Sequence, residues 1–228
     1  MNAKIVSLVL TTAALFAAAA PAEAVHLTIG GTQVANEGFR SSVAGARTIT
    51  FNDGTAPTSG PVTYSGITDH IVQGSRASHH ASPAGNTSRY LTLSTQTARG
   101  VAGNTGSLTI NFRNAISYFG LYWGSVDTYN FLDIFSGGKL IRTISGRDVS
   151  TTARGSWTGA SDNVYVNLFA TNGQNFDKIV MRSTGIAFET DNHAYVEAVP
   201  EPLTLGGSAL ALGLVLRLRK QQKAAKQA

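Results

Sequence analysis

The segment 188–193, F-E-T-D-N-H, combines two carboxylates and an amide within four residues. Side chains two residues apart on a strand point to the same face, so Glu189 and Asp191 are expected to lie side by side. Oxygen ligands gathered in this way suit Ca²⁺, with Asn192 as a third ligand. The alternative is an Asx turn, in which Asp191 or Asn192 bonds its own backbone, and we favour the turn.

The segment 118–129 and its neighbours combine aromatic rings with polar groups that suit a sugar. Trp123 and Tyr122 supply ring faces, and Asp127 and Asn130 supply hydrogen-bonding groups a few residues later. The C–H faces of sugar rings stack on aromatics while their hydroxyls pair with carboxylate and amide. Alternation along a strand, however, places half of these aromatics in a core. Carbohydrate binding is therefore an alternative function, and core packing is the main interpretation.

Histidines in a Gly-, Ser- and Pro-rich region are the other candidates for metal or acid–base chemistry. These residues are Asp69, His70, His79 and His80, with the nearby hydroxyls of Ser78 and Ser82. Such a group could serve a hydrolytic site or a zinc site. Adjacent loop histidines are more commonly solvated, and we expect that here.

Several function classes lack the residues that they need. The chain has no cysteine, no G-x-S-x-G elbow ahead of a helix, no P-loop and no H-E-x-x-H zinc motif, so we expect no enzyme and, calcium aside, no cofactor. The formal net charge is +5, but residues 25–198 carry 12 basic against 11 acidic side chains. A nucleic-acid surface needs clustered Lys and Arg, so nucleic-acid binding is not expected.

The elements that must position these residues are short strands. β-Branched and aromatic runs alternate with Gly, Asn, Ser and Thr clusters, and no long apolar helical period occurs. The predicted strands are 25–29, 47–51, 90–94, 107–112, 117–123, 130–135, 140–145, 164–169, 178–183, 186–189 and 195–198. Gly137-Gly138 predicts a tight hairpin between two of them, while residues 53–88 are predicted to be loops with one brief pairing near 62–64. We expect an all-β fold, an antiparallel jelly-roll-like β-sandwich.

The beginning of the chain is typical of a secretory signal peptide. Lys4 precedes an apolar, Ala-rich run, and Ala22 and Ala24 stand at the two positions that a signal peptidase reads. We therefore predict a cleavable helix over residues 1–24, with Val25 as the mature N-terminus and export across the inner membrane.

The end of the chain carries three successive features. Pro200-Glu201-Pro202 is followed by 14 uncharged residues, 203–216, and then by the basic residues Arg217, Arg219 and Lys220. As a helix the apolar stretch is about 21 Å long, against about 30 Å for a bilayer core. By the positive-inside rule the basic residues stay cytoplasmic, so we expect a short, weak membrane helix that holds the domain outside until the tail is removed.

This tail resembles the PEP-CTERM sorting signal of Gram-negative bacteria, also called the ice-binding protein C-terminal domain. The resemblance covers about the last thirty residues and implies an exosortase-type enzyme as partner. It further implies recognition of Pro200, Glu201 and Pro202, removal of the tail, and release to the cell surface or an exopolysaccharide matrix. The extension 221–228 departs from the usual pattern.

The globular part also resembles one group of PEP-CTERM proteins whose biochemical activity is unassigned. The similar stretches are I-T-F-N-D-G-T near Phe51, A-S-P-A-G-N-T-S-R-Y-L near Tyr90, Y-F-G-L-Y-W-G-S-V-D-T-Y-N around Trp123, and F-E-T-D-N-H-A before Tyr195. This resemblance implies an exported β domain and no particular activity.

Three regions are therefore expected: a signal peptide (1–24), a secreted β-sandwich (25–198) and a sorting signal (199–228). The predicted function is that of a non-enzymatic surface or extracellular-matrix protein. A carbohydrate-binding module that acts on exopolysaccharide is the alternative.

Overall fold

The computed structural model describes residues 23–66, 70–94 and 106–199. Most of the predicted signal peptide, including Ala22, and all of the sorting signal except Val199 lie outside these ranges. The sorting-signal residues concerned are Pro200, Glu201, Pro202, Arg217, Arg219 and Lys220. Within the described ranges, no helix has the length and apolar character needed to cross a bilayer.

Strands account for most of the described chain. They are β1 Val25–Ile29, β2 Thr32–Val34, β3 Gly38–Arg40, β4 Arg47–Ile49, β5 Val62–Ser65, β6 Ile71–Gln73, β7 Arg89–Ser94, β8 Gly106–Gly124, β9 Asn130–Ser136, β10 Lys139–Ser145, β11 Val164–Ala170, β12 Phe176–Ser183 and β13 Ile186–Glu197. A helical turn, α1 Gly146–Val149, and a 3-10 turn, Ala160–Asp162, interrupt them. The strand pairs are antiparallel, so the predicted all-β, antiparallel fold is confirmed.

The 19-residue strand β8 joins two groups of strands. Its first part pairs with β5 and β12, which continues the order β10-β9-β12-β8-β5. Its second part pairs with β11 and β13, in the order β1-β11-β8-β13-β7-β6, and β4 also pairs with β13. The exposed residues Arg113, Asn114 and Ala115 separate the two parts. A strand that changes partners in this way links the two layers of a sandwich-like fold.

One apolar core lies between the two groups. It takes Leu108, Ile134 and Ile179 from the first group and Leu121 and Phe188 from the second. Burying each such side chain stabilises the fold by about 1.5–3 kcal/mol. Since the chain has no cysteine, this core stabilises the fold without the help of disulfides.

The predicted hairpin at Gly137-Gly138 is confirmed. Ser136 pairs with Lys139 across the turn, and the two glycines have φ angles of +54° and +81°. Both values lie in the left-handed region that a two-residue type I′ turn requires and that glycine adopts without a Cβ clash.

Four of the predicted strands belong to two long strands of the structure. Residues 107–112 and 117–123 form the single strand β8, and residues 186–189 and 195–198 belong to β13 apart from Ala198. In the region 53–88, the predicted brief pairing near 62–64 is confirmed as β5, and β6 is a short strand that was not predicted. Alternation was a poor guide because the second part of β8 is buried on both faces.

Candidate functional site

Trp123 is not available to a ligand. Its side chain is 0% exposed and packs on Phe188, with ring centroids 4.5 Å apart. Tyr122 and Asn130 are also fully buried. The predicted glycan contacts at these three residues are therefore wrong, because a buried ring cannot stack on a sugar.

The sheet face opposite the core is covered by other chain segments. Tyr122 packs edge-on against Phe39 at 5.5 Å and donates its hydroxyl to the Ala84 carbonyl at 2.6 Å. On the same face, Tyr118 donates to Asn167 Oδ1 at 2.8 Å. The hairpin β2–β3 and the chain before β7 thus bury aromatics that alternation alone would place in solvent.

Asp127 differs from the other predicted sugar contacts, because it lines a cleft of about 250 Å³. Four segments form this cleft, which we call the Trp157 cleft: 78–81, 125–129, 154–157 and 186–189. Trp157 stands at its rim with 48% of its surface exposed, and Arg154 and Ser78 are exposed beside it.

Glu189 forms the floor of the Trp157 cleft and is only 2% exposed. Its Oε1 accepts the Ala81 N–H at 2.8 Å, and its Oε2 accepts the Ser125 hydroxyl at 2.6 Å. Burial raises the pKa of Glu189 to about 7, although these two bonds oppose the rise, and the charge of Asp127 adds to it. The carboxyl ties the 78–81 and 125–129 segments to β13.

Asp127 lies half-buried in the wall. Its Oδ2 accepts the Tyr129 hydroxyl at 2.6 Å, and the same hydroxyl lies 2.5 Å from the Ile186 carbonyl. Burial raises the pKa of Asp127, the Tyr129 bond opposes the rise, and the charge of Asp162 adds to it. Both carboxyls of the cleft thus hold protons more tightly than they would in water.

The segment that carries Trp157 is organised around the buried carboxylate of Asp162. Its Oδ1 accepts the hydroxyls of Ser150 and Thr152, each at 2.7 Å. Its Oδ2 accepts the backbone N–H groups of Arg154 and Ser156 at 3.3 and 3.2 Å. Four donors from one segment therefore converge on a single side chain.

Asn163 fixes this segment to the rest of the cleft. Its Oδ1 accepts the N–H groups of Ala84 and Ser125 at 2.9 and 3.2 Å. Its Nδ2 donates to the carbonyls of Ser156 and Gly159 at 2.8 and 3.0 Å. The amide thereby connects two segments of the cleft, 125–129 and 154–157, with the chain at Ala84.

His79 and His80 also line the Trp157 cleft. Tyr90 donates its only hydroxyl hydrogen to the Gly74 carbonyl at 2.7 Å, so His80 Nδ1, 2.7 Å from that hydroxyl, is the donor of their bond. Burial lowers the pKa of His80, which favours the neutral ring with its acceptor at Nε2.

The other histidine-region candidates are dispersed. Ser82 is engaged outside the histidine pair, because its hydroxyl donates to the Asn86 carbonyl at 2.5 Å. Asp69 lies outside the described residues, and His70 is half-buried ahead of β6. Only Ser78, His79 and His80 of this group meet in the cleft.

The predicted calcium ligands do not meet in one site. Asp191 is buried, with Oδ1 accepting the Asn192 N–H at 2.7 Å and Oδ2 accepting Asn86 Nδ2 at 2.6 Å. Asn192 Nδ2 donates to the Glu37 and Phe39 carbonyls. Burial raises the pKa of Asp191 to about 7. Among the described residues, no three His, Asp or Glu side chains are grouped to hold a metal ion.

No protein-family model, curated protein or solved structure matches this chain.

The sequence prediction missed Trp157 and Arg154, two exposed residues of the rim. The signal was present in R-G-S-W-T-G-A-S-D, residues 154–162, where a single tryptophan lies among Gly, Ser and Thr without apolar neighbours. Such a tryptophan has no strand partners to bury it, which is typical of an exposed ring.

Proposed function

We propose that this chain is an exported, non-enzymatic protein of the cell surface or extracellular matrix, sorted by an exosortase-type enzyme through Pro200-Glu201-Pro202. The support is the order of signal peptide, β domain, Pro-Glu-Pro, apolar stretch and basic cluster along the sequence. The β domain is a jelly-roll-like sandwich in this proposal. Its first strand starts at Val25, the residue that follows the proposed signal-peptidase site.

The second part of the proposal is that the domain binds exopolysaccharide in the Trp157 cleft. The observation that supports it is that the exposed residue Trp157 lines the same cleft as Asp127. An open indole face stacks on the C–H face of a sugar ring, and neighbouring polar groups pair with the hydroxyls.

Binding without cleavage fits the carboxyl groups of the cleft. A glycoside hydrolase needs two carboxyls that face the scissile bond, one as acid and one as base or nucleophile. Glu189 is buried, and both of its oxygens accept protein hydrogen bonds. Asp127 is bonded to Tyr129. Both groups are occupied in holding the cleft walls together.

The sorting proposal is tested with Glu201→Gln, which keeps the shape of the motif and removes its charge. Processing should fail, leaving the C-terminal extension attached in the membrane fraction. Deleting residues 203–228 should instead release an uncut domain. The measurement is cell fractionation in the native host, with an antibody against the last eight residues.

Glu197→Gln is the matched control, since it removes a carboxylate four residues earlier that pairs with Arg47 in the folded domain. Its processing should equal that of the parent. If the parent itself retains the epitope at steady state, or if Glu201→Gln is processed at the parental rate, the tail is a plain anchor.

The binding proposal is tested with Trp157→Ala by affinity electrophoresis in gels that contain exopolysaccharide from the producing cells. Loss of the stacking ring should weaken binding at least about tenfold. Leu140→Ala is the control, because Leu140 is equally exposed at 49% but lies on β10, outside the cleft lining. Equal retardation of the two variants would exclude the cleft as the binding site.

A further inference from the structure

The rim of the Trp157 cleft carries an exposed cation. The ion pairs between described residues are Arg40–Glu37, Arg47–Glu197, Arg142–Glu23 and Arg182–Asp133, and Arg154 belongs to none of them. A ligand can therefore bind the guanidinium of Arg154 without breaking an ion pair between described residues.

The backbone of Arg154 is held in place although its side chain is exposed. Its N–H bonds to the buried Asp162, and the residue forms an isolated antiparallel bridge with Asp127. Trp157 follows three residues later in the same segment, which Asn163 also fixes. The indole and the guanidinium are thus presented from one anchored piece of chain.

The negative groups of the cleft lie deeper than this cation. Glu189 is on the floor and bonded to Ala81 and Ser125, and half-buried Asp127 is bonded to Tyr129. Burial raises the pKa of Glu189 to about 7, so this carboxyl is partly protonated near neutral pH. An anionic ligand at the rim consequently meets the arginine before it meets either carboxyl.

We propose that the Trp157 cleft selects acidic polysaccharide, with Trp157 stacking on a uronic-acid ring and Arg154 pairing with the carboxylate of that sugar. The inference rests on the proposed carbohydrate binding and names its substrate class. A guanidinium binds a carboxylate through two parallel hydrogen bonds, which a neutral sugar cannot match. His79 and Ser78 also line the cleft and offer further polar groups to the sugar.

The test uses the purified protein with three polymers in affinity electrophoresis and calorimetry. They are polygalacturonate, the same polymer after its carboxyls are reduced to alcohols, and polyglutamate as an unrelated polyanion. The parent should bind polygalacturonate at least tenfold more tightly than the reduced polymer and should not bind polyglutamate. Arg154→Gln should bring the two sugar affinities together, Arg154→Lys should recover part of the difference, and Trp157→Ala should weaken both.

Arg147→Gln is the control, since Arg147 is an exposed arginine of α1 outside the cleft lining, and it should behave as the parent. Unchanged thermal melts show that each variant is folded. Equal parental affinity for the two sugar polymers overturns the acidic-sugar inference while carbohydrate binding stands. Binding of polyglutamate as tightly as polygalacturonate also overturns it, and binding of neither sugar polymer overturns both proposals.

Discussion

Replacing Asp162 with asparagine should destabilise the domain by about 2–3 kcal/mol, although the change swaps only one oxygen for an amide nitrogen. The Asp162 carboxylate is 2% exposed and accepts four hydrogen bonds. Burial by itself raises its pKa, but the bonds from Ser150, Thr152 and the backbone outweigh burial and hold the pKa below its ordinary value. The native domain therefore contains this group in its charged form.

An asparagine cannot accept all four bonds. If its NH₂ faced the backbone, it would meet the N–H groups of Arg154 and Ser156, donor against donor. If it faced the hydroxyls, it would meet Ser150 Oγ, which already accepts the N–H groups of Thr152 and Ala153 at 3.2 and 3.1 Å. An amide that faces the hydroxyls loses at least one bond to a charged acceptor, and one that faces the backbone loses two bonds that are long and therefore weak. One full bond to a charged acceptor is worth about 1.5–3 kcal/mol, so the cost is about 2–3 kcal/mol.

The loss should lower the melting temperature by roughly 4–12 °C for a domain of this size. Carbohydrate affinity should fall as well, because the segment that carries Trp157 loses its anchor. Urea unfolding and calorimetry measure the first effect, and affinity electrophoresis measures the second. Asp148→Asn is the matched control, since Asp148 also accepts two bonds from Ser145 but is exposed, and it should cost under about 1 kcal/mol. Equal stability of the two variants would refute the reasoning.

The hairpin predicts that Gly138→Val costs more than about 1 kcal/mol, because φ is +81° there, whereas Gly138→Asn costs less; equal urea midpoints for the two would exclude the strain. Glu189→Gln should gain at least about 1 kcal/mol of unfolding free energy relative to the parent between pH 5 and 8. The reason is that burial raises the pKa of Glu189 to about 7 in the folded protein, whose carboxyl therefore keeps a proton that the unfolded carboxyl has already released. The stability of the parent consequently falls as pH rises through this window. The buried His193, with its pKa lowered to about 3, acts oppositely in both proteins, and a difference that is flat with pH would contradict the prediction. N-terminal sequencing of exported protein should begin at Val25, and a start at Met1 would exclude cleavage after Ala24.

Local features of the sequence were sufficient for most strand positions and for the hairpin. A run of β-branched and aromatic residues bounded by turn residues has few alternatives to a strand. Gly137-Gly138 specifies its turn because few other residue pairs adopt two successive positive φ angles. These are short-range effects, so neighbours in sequence contain the needed information.

Which aromatic ring is exposed depended on the tertiary structure. Alternation assigns a side chain to one of two faces but does not say whether the second face is covered. Phe39 and the Ala84 carbonyl, distant along the chain, cover Tyr122, while the core covers Trp123. Trp157 stays exposed because Asp162 holds its segment by polar bonds and not by packing the ring.

The cleft could not be predicted from the sequence either. Its walls come from segments near residues 80, 127, 155 and 188, and the hydrogen bonds of Glu189 and Asn163 join segments between 38 and 108 residues apart. Nothing in F-E-T-D-N-H distinguishes Glu189 from Asp191. The side chain of Glu189 lies on the cleft floor, whereas the carboxyl of Asp191 accepts hydrogen bonds from Asn86 and from the Asn192 N–H. Period-2 spacing places both carboxyls on one face of β13, but the segments that pack over that face determine the partners of each, and long-range packing alone brings those segments there.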